Sequence, residues 1–344
     1  MSVLVSGCFG FIAKHILHDL LKLNYQIIGT VRSQEEREKL FKQFGNTTNL
    51  TLEIVEDISK INAFDQVFQL YGSSIRYVLH TASPYNLEAT DFRTELLIPS
   101  LNGTKSLLRA IEKYGMGTVK RLVHTSSYAA IMDFETERVQ GQIYTENSWN
   151  SDDWEKAQEC VSRAYNGSKV LAEREVWRFF NEHKNKTELK VTTINPGYVL
   201  GPQMFDEDVT EKLNTSCEIV NKLIHAKPNS KLDLSETYGC FINVSDVSKA
   251  HILAFQKDKL IGKRLLMSAG RFSTQDILDV LNAEFPILKG KIPVGTPNTG
   301  AQHYNFGATV DNSETCHLLG FHFKSFRDTI CEMTEQILRV KGKK

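Results

Sequence analysis

Short runs rich in Val, Ile and Leu recur along the first half of the chain, at 2–6, 25–31, 50–56, 75–80, 119–125 and 189–194. Between most of them lie stretches with helical spacing of apolar positions: 10–23, 34–44, 60–71, 93–114 and 163–183. In 10–23, for example, Ile12, Ile16, Leu17, Leu20 and Leu21 fall on one stripe that a helix would bury. Strands alternating with helices need crossover connections, which build a parallel sheet covered on both faces. The pattern therefore predicts an α/β protein, a Rossmann-type doubly wound sheet. After Pro196 the alternation loosens. Segment 203–240 reads as a polar helix and a loop, 291–306 is rich in Gly, Pro, Thr and Asn, and helical patterns at 273–284 and 325–340 close the chain. The expected division is a doubly wound domain over 1–197, with 241–268 returning to it, and a smaller domain over 198–344.

Composition narrows the partners. The 344 residues carry 41 Lys+Arg against 41 Asp+Glu, so no overall field favours nucleic acid or an anionic membrane. Residues 1–7 run straight into a strand pattern without a basic segment and long apolar stretch, so no signal peptide is read. No apolar run reaches the length needed to span a bilayer. Cys8, Cys160, Cys217, Cys240, Cys316 and Cys331 form no C-x-x-C pair and read as reduced thiols, neither a disulfide framework nor a metal site. The expectation is a cytoplasmic protein, monomer or homodimer, acting on a small molecule.

The first candidate chemistry sits between the first strand and the first helix, in Gly7-Cys8-Phe9-Gly10-Phe11-Ile12-Ala13. Gly7 permits a tight turn, Gly10 lets backbone approach a pyrophosphate, and Ala13 lets the helix pack closely on the strand. The helix N-terminus then offers unpaired N–H groups and a positive dipole end to phosphate. A strand–turn–helix with convenient glycines is the bland alternative; the position at the head of an alternating pattern favours a dinucleotide site. The second strand ends in Ile28-Gly29-Thr30-Val31-Arg32-Ser33. An NAD-selective site places an acid here for the ribose 2′-hydroxyl, whereas the planar fork of Arg32 suits a 2′-phosphate. NADPH is the expected cofactor. Glu35 and Glu36 follow closely and would repel a phosphate if they faced it; Arg37 is the nearest compensating charge. Asp57 and Ile58, at the end of the third strand, are candidates for the adenine side.

The second candidate lies further on. Strand 119–125 leads into Ser126-Ser127-Tyr128, and the helix over 163–183 opens with Tyr165-Asn166-Gly167-Ser168-Lys169. Tyr165 and Lys169 are four apart and share a helix face, about 6 Å apart along the axis. A phenol, with pKa near 10, is a weak acid at neutral pH, and a neighbouring ammonium favours its ionised form by about 1–3 units. Tyr165 then becomes a general acid for a carbonyl oxygen receiving hydride, while a serine hydroxyl at the neighbouring strand end holds the same oxygen. Tyr-x-x-x-Lys alone occurs by chance in many helices; here it joins the dinucleotide turn and an upstream serine in order.

In these motifs the chain resembles the extended, atypical short-chain dehydrogenase/reductase family, in its dihydroflavonol-4-reductase-like group. It looks similar to the fungal NADPH-dependent methylglyoxal/3-methylbutanal (isovaleraldehyde) reductases. The carrying segments are 3–7, 79–84, 125–130, 165–169, 201–206, 213–218 and 246–251. The resemblance implies a triad of Ser127 (polarising the carbonyl), Tyr165 (proton donor) and Lys169 (holding the nicotinamide ribose). It implies cofactor contacts from Gly7, Cys8, Phe9, Gly10, Phe11, Ile12, Arg32, Asp57, Ile58, Tyr165, Lys169, Pro196, Val199 and Ser216. It implies a substrate pocket lined at Tyr85, Tyr128, Met132 and Tyr198. In one place the chain departs from the group: the lysine expected four residues after Arg32 is Glu36.

Other features read as structural. His15 and His18 lack a third ligand or an H-E-x-x-H context. His80 and His124, at strand ends, read as satisfied core histidines, and Trp149 and Trp154 either cap a site or anchor packing. Gly-x-Ser-x-Gly is absent, which argues against a hydrolase of that type. Two rival functions share the fold: an NAD-dependent nucleotide-sugar epimerase or dehydratase, which would carry an acid in place of Arg32, and a non-catalytic dinucleotide sensor, which needs no proton donor.

Overall fold

The computed structural model describes residues 1–84, 89–233 and 237–341. By chain contacts the molecule divides into two compact units. The first comprises Met1–Phe134, Thr145–Asn195 and Ser248–Leu266; the second comprises Glu135–Tyr144, Pro196–Val247 and Met267–Lys344.

The first unit is built on a seven-stranded sheet. Its strands are β1 (Ser2–Ser6), β2 (Gln26–Val31), β3 (Leu50–Ile54), β4 (Ile75–His80), β5 (Arg121–Thr125), β7 (Lys190–Pro196) and β10 (Arg264–Met267). They lie in the order β10-β7-β5-β4-β1-β2-β3, and the pairs from β3 to β7 are parallel. Helices α1 (Phe11–Lys22), α2 (Gln34–Phe44), α3 (Asp65–Tyr71), α4 (Ile98–Ala110) and α5 (Val161–His183) make the crossovers. The predicted doubly wound sheet is thus present. The strands are nearly continuous apolar runs because both faces are covered. Leu4, Val78 and Leu122 are buried with Phe64, Phe68, Leu107, Ile111 and Val176 from the covering segments. On α1 the buried stripe is Ala13, Lys14, Ile16, Leu17 and Leu20; Ile12 and Leu21, at its margins, are half-buried.

The strand order runs β1-β2-β3 to one side, then returns to β4, β5 and β7 on the other. The carboxyl ends of β1 and β4 therefore flank the point where the order reverses, which in open α/β sheets is where ligands bind. Helix 60–71 starts later than its periodicity suggests, at Asp65. The preceding residues are held in turns: the Asp57 carboxylate accepts from the Ser59 N–H (2.9 Å), and the Ala63 N–H donates to Lys60 O (3.0 Å). Such local acceptors compete with helical hydrogen bonds.

The second unit holds β6 (Ile143–Tyr144) paired in parallel with β12 (Thr309–Val310), and a three-stranded sheet in the order β11-β9-β8, from β8 (Tyr198–Leu200), β9 (Thr237–Asn243) and β11 (Arg271–Ser273). Its helices are α6 (Thr215–Ile224), α8 (Thr274–Glu284), α9 (Ser313–Leu319) and α10 (Phe326–Lys341), while α7 (Val244–Gln256) crosses the division along the chain. Phe241, Phe272 and Phe326 pack ring against ring in its core, with centroids 5.0–6.1 Å apart. The elements β9, α7, β10 and β11 are not announced by the sequence pattern; Gly239 and Cys240 interrupt the β-branched run of β9, which pairs on both edges to β11 and β8. Among the described residues, no helix is long and apolar enough to cross a membrane.

Candidate active site

The glycine-rich turn takes its shape from β1. Ser6 Oγ accepts from the Thr81 and Ala82 N–H groups (both 3.1 Å) and shares a 2.7 Å hydrogen bond with His80 Nδ1. This clamps the ends of β1 and β4 together at the reversal of strand order. Gly7 then turns at φ +70°. An added Cβ there would sit 2.9 Å from Ala82 Cα, so both backbone and space demand glycine. The Gly7 and Cys8 N–H groups donate to Thr30 Oγ1 (3.1 Å) and Thr30 O (2.8 Å), and the Gly10 N–H to Gly7 O (3.0 Å). Gly10 caps α1 in an extended conformation; no side chain bonds the first-turn N–H groups and no acid lies in that turn. Such donors at a helix N-terminus suit an anion. Lys14 and Lys39 hold their ammonium groups 4.3 and 5.3 Å from the centroid of the Phe9 ring. The turn therefore fits a dinucleotide pyrophosphate. Cys8 is fully buried, its thiol pushed up to about 12 by desolvation, so it takes part through backbone and packing, not as a thiolate. Phe11 and Ile12 open α1.

Arg32 lies at the end of β2, and Glu36 faces it. The Glu36 carboxylate accepts from the Arg32 N–H (2.9 Å), Nε (3.2 Å) and Nη2 (2.9 Å). Glu35 turns instead to Ser33, a bond that lowers its carboxyl pKa, and Arg37 lies over the Phe41 ring at 5.8 Å. Asp57 is exposed, its carboxyl lowered chiefly by its bond with the Ser59 hydroxyl (2.6 Å). Ile58 packs beside Gly103 of α4.

Tyr165 and Lys169 occupy successive turns of α5. Lys169 Nζ lies 5.7 Å from the Tyr165 ring centroid and donates to Ser83 Oγ (2.9 Å). Desolvation pulls the Lys169 ammonium down from 10.5 to about 8. His80 and His124 are buried, their rings 5.4 Å apart. Burial, and then neighbouring positive charge including Lys169, lowers both; His124 falls to about 3. Both imidazoles are neutral at physiological pH, and His124 Nδ1 has no hydrogen-bond partner among the described residues.

Ser126 and Ser127, adjacent at the end of β5, have opposite fates. Ser127 is extended, and its Oγ accepts from the Ala129 N–H (3.1 Å). With that acceptor role taken by the backbone, its O–H proton can serve another oxygen. Ser126 is directed into the protein and donates to Glu173 (2.5 Å).

Glu173 is a residue that the sequence reading missed. It is fully buried one turn beyond Lys169. Besides Ser126, its carboxylate accepts from Thr193 Oγ1 (3.0 Å), Asn195 Nδ2 (2.6 Å), Trp177 Nε1 (3.1 Å) and Arg264 Nε (2.6 Å). Asn195 Nδ2 also donates to Ser127 O (3.2 Å), and the Arg264 guanidinium stacks 3.7 Å from the Trp149 ring centroid. This network ties α5 to the ends of β5, β7 and β10, and so sets Ser127 against the helix of Tyr165 and Lys169. The available signal was the spacing: Tyr165, Lys169 and Glu173 recur every four residues along one side of α5.

Among the remaining candidates, Tyr85 lies outside the described residues. Tyr128 is buried, and Met132 Sδ lies 3.7 Å from Asn166 Nδ2, beside Tyr165. Pro196, Tyr198, Val199 and Ser216 belong to the second unit. There Pro196 and Val199 are buried, Tyr198 is partly exposed and edge-on to Phe272 (5.9 Å), and Ser216 is half-buried in the first turn of α6. His15 packs edge-on to Phe11 and His18 pairs with Asp19; no cluster of metal-ligating residues occurs among the described residues.

A family model described as the 3-beta hydroxysteroid dehydrogenase/isomerase family matches residues 4–264. The chain is 49% identical over 343 residues to the NADPH-dependent methylglyoxal reductase GRE2 of Saccharomyces cerevisiae, covering 100% of both chains. It is also similar to the solved structure of yeast methylglyoxal/isovaleraldehyde reductase Gre2 complexed with NADPH, with a TM-score of 0.96 and 100% of both chains covered. An NADPH complex of Gre2 from Candida albicans matches at 40% identity and a TM-score of 0.93, over 99% of each chain.

Proposed function

The chain belongs to the 3-beta hydroxysteroid dehydrogenase/isomerase family, within the extended short-chain dehydrogenases/reductases, and from that premise we propose that it is an NADPH-dependent carbonyl reductase. It reduces aldehydes, ketones or 2-oxoaldehydes, of the methylglyoxal and isovaleraldehyde type, to alcohols. The observation that most supports this reading is the joint arrangement of α5 and the β5 end: Lys169 beside Tyr165, and Ser127 with its hydroxyl proton free to donate.

When bound, the reduced nicotinamide supplies the hydride. This chain's residues do the rest. The first-turn N–H groups of α1 hold the pyrophosphate, and Arg32 meets the 2′-phosphate. The Ser127 Oγ–H donates to the carbonyl oxygen and stabilises the negative charge that develops there. Tyr165 delivers its proton to that oxygen as the alcohol forms. Lys169, mostly charged below about pH 8, makes the phenol give up its proton more readily and hydrogen-bonds the ribose. The neutral histidines beneath it add no competing charge. Pro196, Val199 and Ser216 are carried as further cofactor contacts, and Tyr85, Tyr128, Met132 and Tyr198 as substrate contacts, on the family resemblance. On the same basis residues 1–197, with 241–268, bind the dinucleotide and 198–344 bind substrate. The reading places the enzyme in the cytoplasm, as a monomer or homodimer, with neither nucleic acid nor membrane as partner.

The test is Tyr165→Phe, assayed with NADPH against small aldehydes, 2-oxoaldehydes and bulky ketones. A 10²–10⁴-fold loss of kcat with NADPH binding retained is expected for loss of the general acid. Turnover close to wild type would refute the role of Tyr165.

A further inference from the structure

We propose that Glu36 is a specificity-determining residue that narrows the margin between NADPH and NADH. It does so by competing with the 2′-phosphate for Arg32 and by offering an acceptor to a free ribose 2′-hydroxyl. The inference rests on the dinucleotide reading of the glycine-rich turn and concerns one residue of that site.

The geometry separates a fixed partner from a movable one. Glu36 occupies the third position of α2, where its N–H donates to the capping Ser33 Oγ (3.3 Å). Its side chain is 12% exposed, whereas that of Arg32 is 77% exposed. One carboxylate oxygen is held by the main-chain N–H of Arg32 (2.9 Å), a bond that does not depend on where the guanidinium points. The other receives Nε and Nη2 of that guanidinium (3.2 and 2.9 Å). A phosphate reaching the end of β2 can draw the exposed guanidinium away. It cannot remove the carboxylate, which stays anchored to the strand end and to the capped helix. The phosphate dianion therefore binds beside a like charge, and the guanidinium fork is shared between two acceptors.

The other charges nearby do not reverse this balance. Arg37 lies over the Phe41 ring, and its charge acts on Tyr71, on the β3 side of α2. Lys14 and Lys39 gather over Phe9 in the turn itself. They keep the turn positive for both dinucleotides, since both carry the pyrophosphate, and do not discriminate between them. The same Glu36 carboxylate has lone pairs left beyond its bonds to Arg32. A carboxylate near the end of the second strand is the group that accepts from the ribose 2′-hydroxyl of NADH. One side chain thus penalises the phosphorylated ribose and favours the plain one, while Arg32 does the reverse.

The experiment is equilibrium titration of the purified full chain with NADPH, NADH and 2′,5′-ADP, by protein fluorescence or calorimetry. It compares wild type, Glu36→Gln and Glu36→Lys. Removing the negative charge should tighten NADPH and 2′,5′-ADP by about tenfold at low salt and weaken NADH several-fold. Glu36→Lys should go further in the same direction, and the gain should shrink as ionic strength rises. Thermal melts confirm that each variant is folded. If both variants bind NADPH and 2′,5′-ADP no more tightly than wild type, the inference is overturned while the cofactor reading stands. If wild type binds neither dinucleotide, the cofactor reading fails and takes the inference with it.

Discussion

Burying the Lys169 ammonium costs stability, and the cost can be measured. Its pKa falls from 10.5 to about 8 through desolvation, a difference of about 2.5 units, or ~3.4 kcal/mol at 1.36 kcal/mol per unit. Lys169 keeps part of its surface exposed, so solvent screening reduces this, and ~2 kcal/mol is the better figure. A group whose pKa is lower in the folded state makes stability rise with pH between the two values. The full cost is therefore present below about pH 8 and is relieved as pH rises toward 10.5. Lys169→Met removes the charge. In a Tyr165→Phe background, where the neighbouring phenol does not titrate, the methionine variant should be more stable at pH 7 by about 2 kcal/mol. That is a gain of about 3 °C in melting temperature for a chain of this length. The gain should fall to ~1.2 kcal/mol by pH 9.5. Urea unfolding and thermal melts at pH 7, 8, 9 and 9.5 supply the numbers. A stability difference that stays flat across this range would show that Lys169 carries an ordinary solvated charge. In the otherwise wild-type protein, the same substitution should lower kcat at least a hundredfold, since the group that destabilises the fold is the one the chemistry uses.

Two further predictions concern residues that frame the site. Glu173→Ala removes the carboxylate that receives Arg264 Nε and four neutral donors, and should cost ~3–5 kcal/mol in urea unfolding; pairing it with Arg264→Met should recover at least half of that loss. A double variant as unstable as the single would argue that the two charges do not act as a pair. Gly7→Ala forces a Cβ to within 2.9 Å of Ala82 Cα at a φ of +70°. Strain of about 1–3 kcal/mol and a displaced turn should weaken NADPH binding tenfold or more in a fluorescence titration; binding within twofold of wild type would count against the turn as the pyrophosphate seat.

What could be read from the sequence follows from how local each cause is. Strands β1 to β5 and β7 declare themselves as β-branched runs because a parallel sheet covered on both faces needs apolar residues at every position. Helices α1, α2 and α5 declare themselves through a stripe repeating every three to four residues. The pairing of Tyr165 with Lys169 is equally local: a four-residue spacing places both on one face before any tertiary contact forms. β9 escaped because Gly239 and Cys240 break its run, and β10 and β11 because runs of four and three residues are too short to show a period; these strands are held by edges supplied by distant strands. Ser126 and Ser127 are identical and adjacent, and in the sequence only the family resemblance singles out Ser127. In the structure the extended backbone turns one toward Glu173 and leaves the other's proton free.

The alternation of strands and helices, the turn at Gly7, and the helix face that carries the tyrosine and the lysine are legible in the order of residues, because each depends on residues within one or two turns of chain. Tertiary structure alone decided that Lys169 is desolvated beside two neutral histidines, that Glu173 gathers donors from β5, β7, α5 and Arg264, and that Glu36 is pinned against Arg32. Burial, and the direction in which a side chain is held, are set by what the rest of the fold packs around it.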